Sequence, residues 1–115
     1  MLIYRFVTNL YFANENCFAE EIIDLAKNTN SLKWFCISAT NIGYVDFAAA
    51  ETLENVFTQL KKMDITLILI EVVQPVKNEL DIDGTTKMIG RENIFESVQV
   101  VLEAYKRTTD SSQYL

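Results

Sequence analysis

The sequence predicts one compact α/β domain, with apolar strands at its centre and amphipathic helices packed against them. Three observations carry this. First, Lys33 to Ala39 and Thr66 to Val72 are strand-length runs with apolar residues on both faces, the mark of central and parallel strands. Second, the stretch between them, YVDFAAAETLENVFTQL from Tyr44 to Leu60, opens at Asp46 and then repeats Ala50, Leu53, Phe57 and Leu60 at helical spacing. Third, the period changes from strand to helix on either side of this unit, and neither a repeat nor a linker divides the chain.

The elements follow in order. Leu2 to Phe6 is apolar and β-prone. A second extended piece follows at Leu10-Tyr11-Phe12, with Thr8-Asn9 able to bend the chain between them. Phe18, Ile22, Leu25 and Ala26 then fall at helical spacing, with Asn14 or Asn16 as the N-cap and Glu20, Glu21 and Asp24 on the solvated side. Asn28 to Ser31 closes that helix with turn formers. Trp34, at the head of the next strand, reads as a core or edge-covering aromatic. After the central helix, Met63-Asp64 makes a tight turn in which Asp takes the left-handed position that Gly usually holds.

Past the second apolar strand, Pro75 suits the first turn of a short helix that buries Val76 and Leu80 and ends at Asp83-Gly84. Met88-Ile89-Gly90 reads as a turn and Ile94-Phe95 as a short edge strand or apolar plug. A last helix carries Val98, Val101, Leu102 and Tyr105 on one stripe, with Ser97 as its cap. The domain spans residues 1–107, and residues 108–115, TTDSSQYL, read as a polar, disordered tail.

Composition narrows the function classes. With 10 basic and 16 acidic residues, the formal charge is -6, and no basic face is clustered for nucleic acid or anionic lipid. There is no His, so neither a Ser-His nor a Cys-His catalytic pair can form, and a zinc site would need carboxylates alone. Cys17 and Cys36 are far apart and read as two reduced, intracellular thiols. No secretory signal and no stretch of 18 apolar residues occurs, so this polypeptide is expected to be soluble, without membrane insertion of its own. No phosphate-binding glycine motif is present, and the paired carboxylates (Asp81 with Asp83, Glu51 with Glu54) are ordinary surface spacings. The expectation is a non-enzyme with no catalytic residue, no cofactor and no metal.

The candidate site is the N-terminal tip of the central helix: Gly43, Tyr44, Val45, Asp46, Phe47, Ala48, Ala49 and Ala50. A helix start at the C-terminal ends of parallel strands presents free backbone N–H groups and the positive end of the helix dipole. Asp46 is read as its N-cap, and Ala48 and Ala49 keep the first turn small enough for another backbone to approach. A nucleotide or small anion at this tip is physically possible and is the weakest of the readings.

This order of elements resembles a STAS domain, more narrowly the cytoplasmic C-terminal STAS domain of SulP-type anion transporters. The residues that carry the resemblance are Ile3-Tyr4-Arg5-Phe6 with Leu10 to Asn14, Trp34-Phe35, Val45-Asp46 with Thr52-Leu53, Leu67-Ile68-Leu69 with Val73 and Val76, and Ile89-Gly90 with Ile94-Phe95. They span roughly residues 2 to 106, nearly all of the chain. The resemblance implies a mixed sheet of four to five strands, parallel in the middle, with about four helices packed largely on one side. It also implies a regulatory or interaction domain on the cytoplasmic side of the membrane, in a parent that carries sulfate, bicarbonate or dicarboxylate. The implied partner is the transmembrane domain of that parent, with a homodimer through the parent and a cytosolic protein as further options. The alternative is a free-standing STAS protein similar to the anti-sigma factor antagonists. Their phosphoacceptor Ser or Thr stands two residues after the Asp of the helix-opening motif. Here that position is Ala48, which has no hydroxyl, and Ser38 and Thr40 are the nearby hydroxyls.

Overall fold

The computed structural model describes residues 2–5, 15–29, 32–39 and 47–113. Four strands, β1 (Leu2–Arg5), β2 (Trp34–Ser38), β3 (Thr66–Ile70) and β4 (Ile94–Phe95), form one sheet in the order β1-β2-β3-β4, and every pairing is parallel. The expected hairpin partner at Leu10–Phe12, on which a mixed sheet would depend, lies outside the described residues. Among the described residues, five helices connect or cover the strands: α1 (Glu15–Lys27), α2 (Phe47–Lys62), α3 (Gln74–Ile82), α4 (Thr85–Ile89) and α5 (Val98–Gln113). A single 3-10 turn, Arg91–Asn93, precedes β4.

Topology decides which face each helix covers. Each strand is followed in space by the next strand in sequence, so the crossovers all step the same way across the sheet. Parallel crossovers share one hand, so helices stepping in one direction must fall on one face. Burial agrees. Phe35, Ile37, Leu67 and Leu69 pack in one cluster with Ile22, Ile23 and Ala26 of α1, Ala50, Leu53, Val56 and Leu60 of α2, Val76 and Leu80 of α3 and Ile89 of α4. The alternate residues Cys36, Ile68 and Ile70 point the other way and meet Val101 of α5, with Trp34, Phe95 and Val98 at the margin. Among the described residues, α1 to α4 thus share one face and α5 lies on the other.

Local chemistry explains the joints. α2 ends in a Schellman arrangement: Asp64 N–H donates to the Lys61 carbonyl at 3.0 Å and Ile65 N–H to the Leu60 carbonyl at 2.9 Å, while Asp64 takes φ 60. Leu60 and Ile65 are both buried there, which supplies the apolar contact that accompanies this cap. Pro75 sits in the first turn of α3, where its missing N–H costs no helical bond. The Ser97 hydroxyl accepts the Val100 N–H at 3.3 Å and so caps α5.

Several details differ from the sequence reading. Asn16 lies inside α1, which starts at Glu15, so it is not the cap. Met88 and Ile89, read as part of a turn with Gly90, belong to a short helix over Thr85–Ile89, which restarts after Gly84 takes φ 80. Val56, fully buried, joins the core face of α2, and Phe57 beside it is only half-buried. Leu102, expected on the buried stripe of α5, is 47% exposed. α5 also continues past Arg107 to Gln113, into the stretch expected to be a tail.

Candidate functional site

At one end of the sheet β2 stops at Ser38 and β3 at Ile70, and Ala50 of α2 is buried in the same core as both strands. Past the last residues of the strands the ladder continues by single bonds: Ala39 N–H to the Ile70 carbonyl at 2.8 Å and Glu71 N–H to the Phe95 carbonyl at 3.0 Å. Glu71 takes φ 60, a left-handed conformation in which a residue with a Cβ is strained. That turn ends β3 one residue after Ile70. It leaves Oε1 of Glu71 3.5 Å from the Ser38 hydroxyl, which donates to it.

α2 is described from Phe47 onward, and the residues expected to open it lie before that point. Its first turn contributes no acidic side chain, so the positive end of the dipole has no counter-charge from within the helix. Ala50 is buried, which anchors that first turn against the sheet. Gly43, Tyr44, Val45 and Asp46 lie outside the described residues, and the cap assignment for Asp46 lies there with them. Phe47, Ala48 and Ala49 are described as helical backbone.

Of the two alternative hydroxyls, Thr40 lies outside the described residues. Ser38 has 0% exposure, so no kinase can reach its hydroxyl while the domain is folded. Cys36, on the same strand, is also fully buried, and that burial pushes its thiol from 9.0 up to about 11. A thiol in that state is inert toward oxidants and electrophiles at neutral pH. Trp34 packs as an edge-covering aromatic: its ring centroid lies 5.1 Å from that of Tyr105 on α5 and 6.3 Å from that of Phe95 on β4.

Sequence reasoning passed over a second concavity, between α3 and the 3-10 turn, where Lys77, Asp81 and Arg91 come together. Lys77 and Asp81 are four apart and share a helix face, a signal visible in the sequence. Arg91 arrives from another element, and no spacing rule predicts it. No helix among the described residues is long and apolar enough to cross a membrane.

Comparison with known proteins agrees with this geometry. The chain is 24% identical over 108 residues, 93% of its length, to a Mycobacterium tuberculosis protein named "Probable sulfate transporter", and it covers 19% of that relative. It is 25% identical over 114 residues to Sulfate transporter 1.3 of Arabidopsis thaliana and covers 17% of it. The chain therefore spans about a fifth of the length of the relatives it matches. Among solved structures, the SulP transporter STAS domain from Vibrio cholerae superposes with a TM-score of 0.79 at 16% identity, covering 96% of this chain and 84% of that one. The murine Solute Carrier 26 family member A9 anion transporter, in its inward-facing state, superposes at 0.82 with 21% identity, over 91% of this chain and 18% of that one. Residues 1–101 match the family description of the STAS domain, and the chain belongs to that family.

Proposed function

We propose that this chain is the regulatory and interaction domain of a SulP-type secondary anion transporter, on the cytoplasmic side of the membrane, and that it performs no catalysis. The observation that carries the reading is the match of a STAS domain to sulfate transporters of which it makes up only a fifth. The translocated anion is sulfate, bicarbonate or dicarboxylate, and the membrane-spanning steps belong to parts of the parent outside this chain. The domain acts by contact. Its contact surface is Gly43 to Ala50, with Asp46 capping α2 and the small first turn admitting a segment of the transmembrane domain. The backbone N–H groups of that turn that the cap does not take are receptive to a carbonyl of the partner. A second protomer of the parent and a cytosolic protein are the other surfaces that this tip could engage.

The buried Ser38 and the methyl of Ala48 support this reading over a phosphorylation switch of the anti-sigma antagonist kind. The test is an Ala48→Glu substitution in the parent protein, which adds a bulky charge at the tip. Anion uptake per molecule at the membrane should change while abundance stays the same. Uptake identical to that of the unaltered parent would remove the helix tip from the mechanism.

A further inference from the structure

The cleft between α3 and the 3-10 turn has a volume of about 310 Å³ and a mixed lining. Its floor is aliphatic: Val72 and Leu80 are buried and Ile94 is half-buried. Its rim is charged, with Lys77, Asp81 and Arg91. An apolar floor with a few converging polar groups is how small-ligand sites are built, and this volume sits at the small end of their range.

The charges favour an anion. Two cations face one carboxylate, a surplus of one positive charge in a chain whose overall charge is -6. The adjoining concavity shares Asp81 and Arg91 and adds Lys87 and Glu92, one of each sign, so the surplus stands. Arg91 is already held by a carboxylate, but poorly: the Arg91–Asp81 distance is 3.5 Å, and the two side chains are 78% and 41% exposed. Charge-assisted pairs close to about 2.7–2.9 Å, and exposed pairs are weak, so a better carboxylate displaces Asp81 at little cost. The planar fork of Arg91 matches a carboxylate in two bonds. An inorganic tetrahedral anion would leave the aliphatic floor unused.

We propose that this cleft binds a short-chain monocarboxylate. Its head group takes Arg91 from Asp81, with Lys77 as the second cation, and its alkyl body lies on Val72, Leu80 and Ile94. The test is a titration of the chain with butyrate, hexanoate, inorganic sulfate and inorganic phosphate at constant ionic strength, read from the amide resonances of residues 72–94. Both carboxylates should give saturable shifts confined to this region. Hexanoate should bind up to about tenfold tighter than butyrate for its two additional methylenes. Arg91→Gln should weaken hexanoate about tenfold or more, and Asp81→Asn should strengthen it; both sites are exposed, so the fold is retained. Three results would each overturn the proposal: no saturable shift, sulfate or phosphate binding as tightly as hexanoate, or an unchanged affinity in Arg91→Gln.

Discussion

Val101→Ala tests how α5 is held. Among the described side chains of α5, Val101 is the one with 0% exposure and the one in the buried cluster with Cys36, Ile68 and Ile70. Removing two buried carbons costs about 1.5 kcal/mol of transfer free energy, and the cavity left behind raises the loss to roughly 2–3 kcal/mol. A domain of this size has about 5–15 kcal/mol in total, so the change is a large fraction of it. With a urea slope of about 1–3 kcal/mol/M, the midpoint should fall by on the order of 1 M. Leu102→Ala is the control, because Leu102 is 47% exposed and its truncation should cost well under half as much. The chain supplies its own probe of docking. Trp34 is its single tryptophan and lies against Tyr105 of α5, so tryptophan fluorescence follows α5 while far-ultraviolet circular dichroism follows the whole fold. In Val101→Ala the two signals should still change together, at the lower midpoint. A Val101→Ala midpoint no lower than that of Leu102→Ala would refute the assignment of α5 to this face of the sheet.

Three further predictions concern the rest of the fold. Asp64→Gly relieves the left-handed strain at the C-terminus of α2 and should stabilise by roughly 0.5–1 kcal/mol, whereas Asp64→Val should cost about 1–2 kcal/mol; urea midpoints moving in the opposite directions would contradict the Schellman cap. The Thr85 hydroxyl is buried without a hydrogen-bond partner, so Thr85→Val, which keeps the shape, should stabilise by roughly 1 kcal/mol, and a lowered melting temperature would show that the hydroxyl is in fact paired. Folded Cys36 keeps its proton to about pH 11 while an unfolded thiol releases it near 9.0, so the native state holds the additional proton between those values. The stability linked to that buried thiol is complete below about pH 9 and is lost as the pH rises to about 11, a fall on the order of 2–3 kcal/mol that Cys36→Ala should not show. Superposable pH curves for the two proteins would disprove it.

The sequence made the middle of the fold legible because periodicity and burial coincide there. β2 and β3 read as two-faced apolar strands and are buried on both faces. Asp64 was readable as a left-handed residue from its place between a helix and a strand, and Pro75 as the opening of α3. What escaped has physical causes. Five residues, Thr85 to Ile89, are too few to show a helical period, and only the φ of Gly84 reveals that the chain restarts rather than loops. The stripe on α5 was visible, but a stripe does not say which face of a sheet it meets. α5 covers only the Cys36, Ile68 and Ile70 side, a narrow seam that leaves Leu102 outside. The cleft of Lys77, Asp81 and Arg91 needs tertiary packing to exist at all.

The central claim is that this domain works as part of an anion transporter at the membrane. An antibody raised against the chain, used to blot fractionated cells of its source, tests that most directly. The account predicts a band in the membrane fraction far larger than 13.2 kDa, the mass of the chain itself. A single band near 13.2 kDa in the soluble fraction would contradict it, and would make the chain an independent STAS protein with a helix tip that cannot be phosphorylated.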